Sequence, residues 1–285
     1  MNGWYQAFKS ELFVSLHTLG GKLVIAVPSA LILVQFLFVK LGETGAAARD
    51  SLLGSNDFEA TIEANAWGHF VDGLDNGLTI LGLLLVAQAA YSFSAERDTG
   101  ALRHTLIRSS GRRAIIVAKL LHLHLLALAS LALLLLISYV GSATLWEFGA
   151  VVEDGFELIS EDEIRAEIAL GLRLALIPLP AAIAFGLLVS VAANTSTQAV
   201  VSALGLTLAL DLFKSSFGDF ALYLYATYQP SLLDQSYLQD VSRLVRGYSD
   251  VLIDERFLQL NTWAPLPALL LFVVLTLVIV GQRKL

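Results

Sequence analysis

Six long apolar runs divide this chain, beginning near Leu23, Leu78, Ala114, Ile168, Gln198 and Ala264, with polar segments between them. Each lasts about 17 to 25 residues, and a helix rising roughly 1.5 Å per residue crosses a hydrocarbon core of about 30 Å in that length. Lipid offers no partner to an open backbone, so such runs cross as helices. The sequence therefore predicts an all-α, polytopic membrane protein with six transmembrane helices at about 23–40, 74–93, 114–140, 168–190, 197–214 and 264–281, in a single transmembrane domain over 1–285. A mean hydropathy of +0.70 with only 15% charged residues leaves too little polar surface for a second, soluble domain. With no cysteine, the chain has no disulfide, thiolate metal site or cysteine nucleophile.

Charge is segregated by loop. Ala95 to Arg113 holds five arginines, Arg97, Arg103, Arg108, Arg112 and Arg113, and Arg283 and Lys284 close the chain. Gly42 to Asp75 instead carries seven acidic residues against Arg49 alone, and Gly141 to Glu167 carries eight against Arg165 alone. Loops rich in Lys and Arg stay in the cytoplasm, so six spans with both termini inside satisfy every loop of a multi-pass protein of the cell (inner) membrane. A secretory signal is the competing reading of the N-terminus, with Lys22 before the apolar run and Ala46 to Ala48 after it. Against it, the run from Leu23 to Val39 exceeds an ordinary signal core and the segment before it is unusually extended.

That preceding segment, 1–22, repeats Trp4, Phe8 and Leu12, with Tyr5, Phe13 and Leu16, at helical spacing, while Gln6, Lys9, Ser10 and His17 fall at other angles. It is expected to be an amphipathic helix lying in the inner interface, or alternatively a cytoplasmic helix packed on protein. Segment 94–113 reads as a hairpin in which Leu102, Leu106 and Ile107 share a face and Ser109-Ser110-Gly111 turns the chain. On residues alone it either only orients the chain or meets a partner.

At this stretch the chain resembles the permeases of type-2 ABC exporters, the transmembrane subunits of ABC transporters. In that family the loop between spans two and three commonly reads Glu, two or three residues, Gly-Thr-Leu, a further Leu, a Pro-Ser-Arg or similar turn, and a Gly-Lys in the next helix. Glu96, Gly100, Leu102, Arg103, Leu106, Arg112 and Lys119 match. Ala101 stands where Thr is usual and Ser109 where Pro is frequent. The resemblance implies a transport subunit without a motor of its own, and the sequence has no G-x-x-x-x-G-K-[ST] phosphate loop, since Gly20-Gly21-Lys22 lacks its flanking residues. It implies two copies of an ABC ATPase subunit, which would hold ATP and Mg, and a second permease subunit, identical or closely related. This chain would bind no cofactor itself. The docking hairpin would comprise Glu96, Arg97, Gly100, Leu102, Arg103, Leu106, Arg108 and Arg112, with the N-terminal helix and the Ala192 to Thr197 turn beside it. Substrate would move by alternating access.

Few polar residues lie within the spans. Arg173 and Asp211 fall at matching depths in spans four and five, so a mutual ion pair is expected, with separate snorkelling to the headgroups as the other reading. Pro178 and Pro180 predict a kink in span four, serving as a hinge or merely fitting the helix to its neighbours. Gln35 and Gln88 suit interhelical hydrogen bonds better than substrate contacts. His122 and His124, two residues apart, point about 200° apart on a helix and make no metal pair.

The outer segment 215–263 is too long for a connector. Phe217 to Tyr228 resembles an interfacial or re-entrant helix, and Tyr237 to Tyr248 reads as an exposed amphipathic helix with Leu238, Val241, Leu244 and Val245 on one face. Together they gate an exit or act as a packing lid. Acidic outer loops would suit cationic cargo or a basic outer accessory protein, although topological segregation of charge explains them equally. Membrane lipids are expected contacts, and there is no basic surface for nucleic acid. The competing function is a scaffold or sensor that recruits a cytoplasmic regulator without transport.

Overall fold

The computed structural model describes residues 3–53, 65–102, 111–153, 156–231, 236–246 and 255–282. Six helical stretches long and apolar enough to cross a membrane coincide with the six runs: Leu19–Arg49, Ala66–Asp98, Arg112–Leu145, Glu161–Ala192, Ser196–Tyr223 and Glu255–Gln282. One end of the bundle gathers Arg97, Arg112 and Arg113 and is called the basic end. The other gathers Glu43, Asp72, Asp75 and Glu161 and is called the acidic end.

Helix α1 (Gly3–His17) precedes α2 (Leu19–Leu53), which contains span one, and a bend at Thr18 separates them. The expected apolar stripe of α1 does not turn onto protein: Trp4, Tyr5, Phe13 and Leu16 are exposed, and Ala7 is buried where the helix packs along span three. Spans two and three are α3 (Ala66–Asp98) and α4 (Arg112–Leu145). Between α4 and span four lies a feature the sequence reading did not anticipate, an antiparallel hairpin of β1 (Val151–Glu153) and β2 (Phe156–Ile159), with a bulge between Val151 and Val152. The Asp154-Gly155 pair between the strands is an ordinary hairpin signal, obscured by the shortness of both strands.

Span four is two helices, α5 (Glu161–Leu176) and α6 (Leu179–Ala192). A capping box at Ser160 and Glu163 starts α5 well before the apolar run. The interruption falls at Ile177–Pro178, because Pro178 has no amide to donate; the Ile177 amide still reaches the Arg173 carbonyl at 3.3 Å. Pro180 sits in the first turn of α6, where a missing N–H breaks no bond. Span five is α7 (Ser196–Phe213), continued by tighter turns over Lys214–Tyr223 and Tyr225–Tyr228. Helices α8 (Tyr237–Val245) and α9 (Glu255–Trp263) lead to α10 (Pro265–Gln282), which completes span six.

Spans two and four form the centre. Burial covers 56% and 67% of their most apolar windows, against 17% in spans five and six, whose apolar faces therefore point outward. The centre closes because its residues are small. A Cβ added to Gly186 would lie 2.7 Å from the Val86 carbonyl oxygen and 2.8 Å from the Ala89 Cβ, while Ala90, Ala181 and Ala182 are completely buried around it. Close backbone approach of this kind is how helices associate where lipid removes the hydrophobic drive. Span one locks in by the opposite device, with Phe36 filling the space over Gly73 and Gly141.

The amphipathic α8 is not simply exposed. Leu238, Val241 and Val245 are buried in the main core, and its polar side is tied to span two: Ser236 and Gln239 donate to Asp75, Ser242 to Asp72, and Arg246 pairs with Asp72. The Tyr237 hydroxyl donates to Glu167; burial, reinforced by that bond, pushes its pKa above the ordinary tyrosine range.

Replacing Gly186 with Val should overfill the span two and span four contact and cost about 1–3 kcal/mol. Replacing Gly205, whose added Cβ meets nothing within 4 Å, should stay within about 0.5 kcal/mol. Thermal unfolding of both variants in one detergent measures the difference.

Candidate functional site

The basic end is organised around one lysine. Lys119 lies two turns into span three and is only 1% exposed, because it sits on the inward face of that helix, among the buried Ile115, Ile116, Ala118 and Leu123. Its Nζ meets Oε1 of Glu96, from the last turn of span two, and Oε1 of Glu11, from α1, each at 2.6 Å. The Glu11 side chain is 15% exposed and that of Glu96 27%. Taking an ammonium out of water costs several kcal/mol, and two charge-assisted bonds offset that cost only while both carboxylates stay in place. Lys119 thus fixes the rotation and depth of α1 against spans two and three.

The chain then leaves span two in a defined direction. Gly100 adopts φ +75°, a left-handed conformation that ends the helix one turn after Glu96, and its amide bonds to the Arg97 carbonyl at 3.1 Å. The spacing of Glu96 and Gly100 is therefore the spacing of a last helical turn and its terminator. Leu102 follows and is buried with Phe93, Ile115, Ile116, Leu187, Val191 and Val280, so the chain leaving span two is anchored on spans two, three, four and six. Asp98 accepts the Ser196 amide at 2.6 Å, joining the same turn to the start of span five. Thr195 caps that helix by accepting the Gln198 amide. Arg97 is half-buried and Arg112 exposed at the mouth of the hairpin. Arg103, Leu106 and Arg108 lie outside the described residues.

The structure brings together Glu96, Lys119, Gly100, Leu102 and the Ala192 to Thr197 turn. It does not bring together Arg173 and Asp211, which corrects the expected ion pair. Asp211 accepts from Lys214 Nζ at 2.8 Å and from the Ser231 hydroxyl at 2.8 and 2.7 Å, while Arg173 is exposed at the end of α5. The reason is local: Lys214 stands one turn beyond Asp211 on the continuing chain and reaches it without crossing to another helix. Gln35 accepts from Asn76 across spans one and two at 3.2 Å.

Sequence reasoning missed Glu11, the one carboxylate of α1, and the Asp72 and Asp75 pair. It also missed a cluster at the acidic end, where the Trp146 indole donates to both Glu43 oxygens, at 3.1 and 2.9 Å, and stacks on His69 with ring centres 3.9 Å apart.

A six-span helical bundle latched at one end by a Glu–Lys–Glu cluster is a polytopic membrane protein. Residues 19–281 match the ABC-2 family transporter protein family. The chain belongs to that family, and is thus the membrane-spanning permease component of an ABC transporter. No curated protein and no solved structure matches it.

Replacing Lys119 with Met should leave two carboxylates facing each other and cost about 3–5 kcal/mol of stability. Adding Glu11→Gln and Glu96→Gln to Lys119→Met should restore most of it. A melting series of the single and triple variants in detergent checks both, and equal melting of wild type and Lys119→Met would remove the cluster from the account.

Proposed function

We propose that this chain is the permease of an ATP-driven exporter, working as one of two permease subunits with two copies of an ABC ATPase that binds ATP and Mg. Both termini and the basic end lie in the cytoplasm, as the arginine and lysine distribution supports. The turn from Glu96 to Arg113, flanked by α1 and the Ala192 to Thr197 turn, is the surface the ATPase grips. Motion there changes the relative stability of two arrangements of the spans, and the break at Ile177–Pro178 lets span four bend between them.

The observation that carries this reading is the contact of Lys119 with Glu96 and Glu11. It ties three separate elements at the expected docking face into one body, so a force on the hairpin reaches α1 and span three directly.

Purification together with the partner ATPase, followed by ATP turnover in proteoliposomes, tests it. Replacing Glu96, Gly100 and Arg103 together should lower turnover of the complex by about ten-fold, a usual size for coupling between sites, without changing the isolated ATPase. Unchanged turnover would overturn the docking assignment. Failure of any ATPase to co-purify would favour the scaffold reading instead.

A further inference from the structure

Between α1 and spans two and three, the basic end bears a half-open cavity of about 520 Å³. That volume falls in the range of small-molecule sites, about 300–1,000 Å³, and is far too large for a bare ion. Glu11 and Glu96 line it, together with Gln88, Tyr91, Thr18 and His122. Among the described residues the two carboxylates face a single cation, Lys119, which is buried and does not line the cavity, so the described lining carries excess negative charge.

His122 supplies a second, independent observation. It is 5% exposed and lines the cavity, yet neither ring nitrogen has a hydrogen-bond partner among the described residues. Its ring nitrogens stay accessible from the cavity, where a bound group would complete them. Val14 and Leu19 add an apolar stretch to the wall, and the ring of Tyr91 can receive a cation on its face.

We propose that this cavity binds the primary ammonium head of an amphipath. An ammonium has three N–H donors, and Glu11, Glu96 and the unpartnered His122 nitrogen offer acceptors for them. The alkyl part lies along Val14 and Leu19. A free long-chain amine and an ethanolamine phospholipid both present this chemistry. The site is independent of the ATPase reading, since binding is measured on the permease alone.

The test uses the purified chain in phosphatidylcholine nanodiscs, titrated with dodecylamine, dodecyltrimethylammonium or dodecanol and followed by native mass spectrometry and thermal shift. One saturable equivalent of dodecylamine is expected, with both comparison compounds weaker by about ten-fold or more, because they lack the N–H donors or the charge. Glu11→Gln should weaken the amine similarly. So should Thr18→Trp, which crowds the cavity without touching the Lys119 cluster; each variant is first required to retain helical content and monodisperse elution. A second arm uses discs containing phosphatidylethanolamine: one retained lipid, displaced by dodecylamine, identifies a lipid occupant, whereas amine binding without retained lipid identifies a free amine. Equal binding of amine and dodecanol, or binding indifferent to both substitutions, would overturn the proposal.

Discussion

A lysine ammonium held out of water between two carboxylates is the constraint on which the basic end depends. Apolar residues of equal volume would hold the same helices together about as well, because desolvation consumes most of what the ion pairs supply. What apolar residues would not supply is position. Dispersion contacts tolerate a helix sliding or rotating by a fraction of a turn, whereas Lys119 accepts its partners only when Glu11 and Glu96 arrive at 2.6 Å from their separate helices. The cluster therefore sets a register among α1, span two and span three, and the left-handed turn at Gly100 begins from that fixed point.

Span two is held in this way at both ends. Glu96 and Asp98 engage span three, α1 and the start of span five at the basic end, and Asp72 and Asp75 engage α8 at the acidic end. Between these latches the helix approaches span four most closely where Gly186 meets Val86 and Ala89, a contact that leaves no space for a Cβ. A tightly packed contact of that kind does not deform continuously. Displacement at the basic end is passed along span two as a rigid body or not at all, and it arrives at the ties to α8. Span four differs, since its backbone is interrupted at Ile177–Pro178. The centre of the bundle thus pairs one continuous rod with one divided one.

How much of this was legible in the sequence followed from the range of each interaction. The six spans and the break in span four rest on local properties, apolar length and the missing proline amide, and both are readable along the chain. Glu96, Gly100, Leu102 and Lys119 were marked by a motif whose spacing is itself local, a last turn followed by its terminator. Glu11 was not legible, because its partner is 108 residues away and nothing in α1 points to span three. The Arg173 and Asp211 pairing failed for the converse reason. Matching depth is necessary for two helices to exchange charges, but it says nothing about rotation, and Lys214 on the adjoining turn had the shorter route. The exposed aromatics of α1 show the same limit: periodicity located a stripe without showing whether protein or lipid would cover it.

The exposed faces of spans one, five and six are the counterpart of the buried centre. Leu31, Leu37 and Phe38 on span one, Val201, Leu206 and Leu212 on span five, and Leu270, Leu271 and Val274 on span six all face outward. In water such a surface would aggregate, whereas in a bilayer it has the same apolarity as its solvent and exerts no pull on a neighbour. Association of any second membrane subunit along these spans would then come from shape and from polar contacts at their ends. The acidic end supplies a candidate for the latter in Arg165, exposed within the carboxylate-rich start of α5. In the proposed pairing of two permease subunits, specificity would accordingly reside at the membrane surfaces, while the leucine-rich middle of each span sets depth.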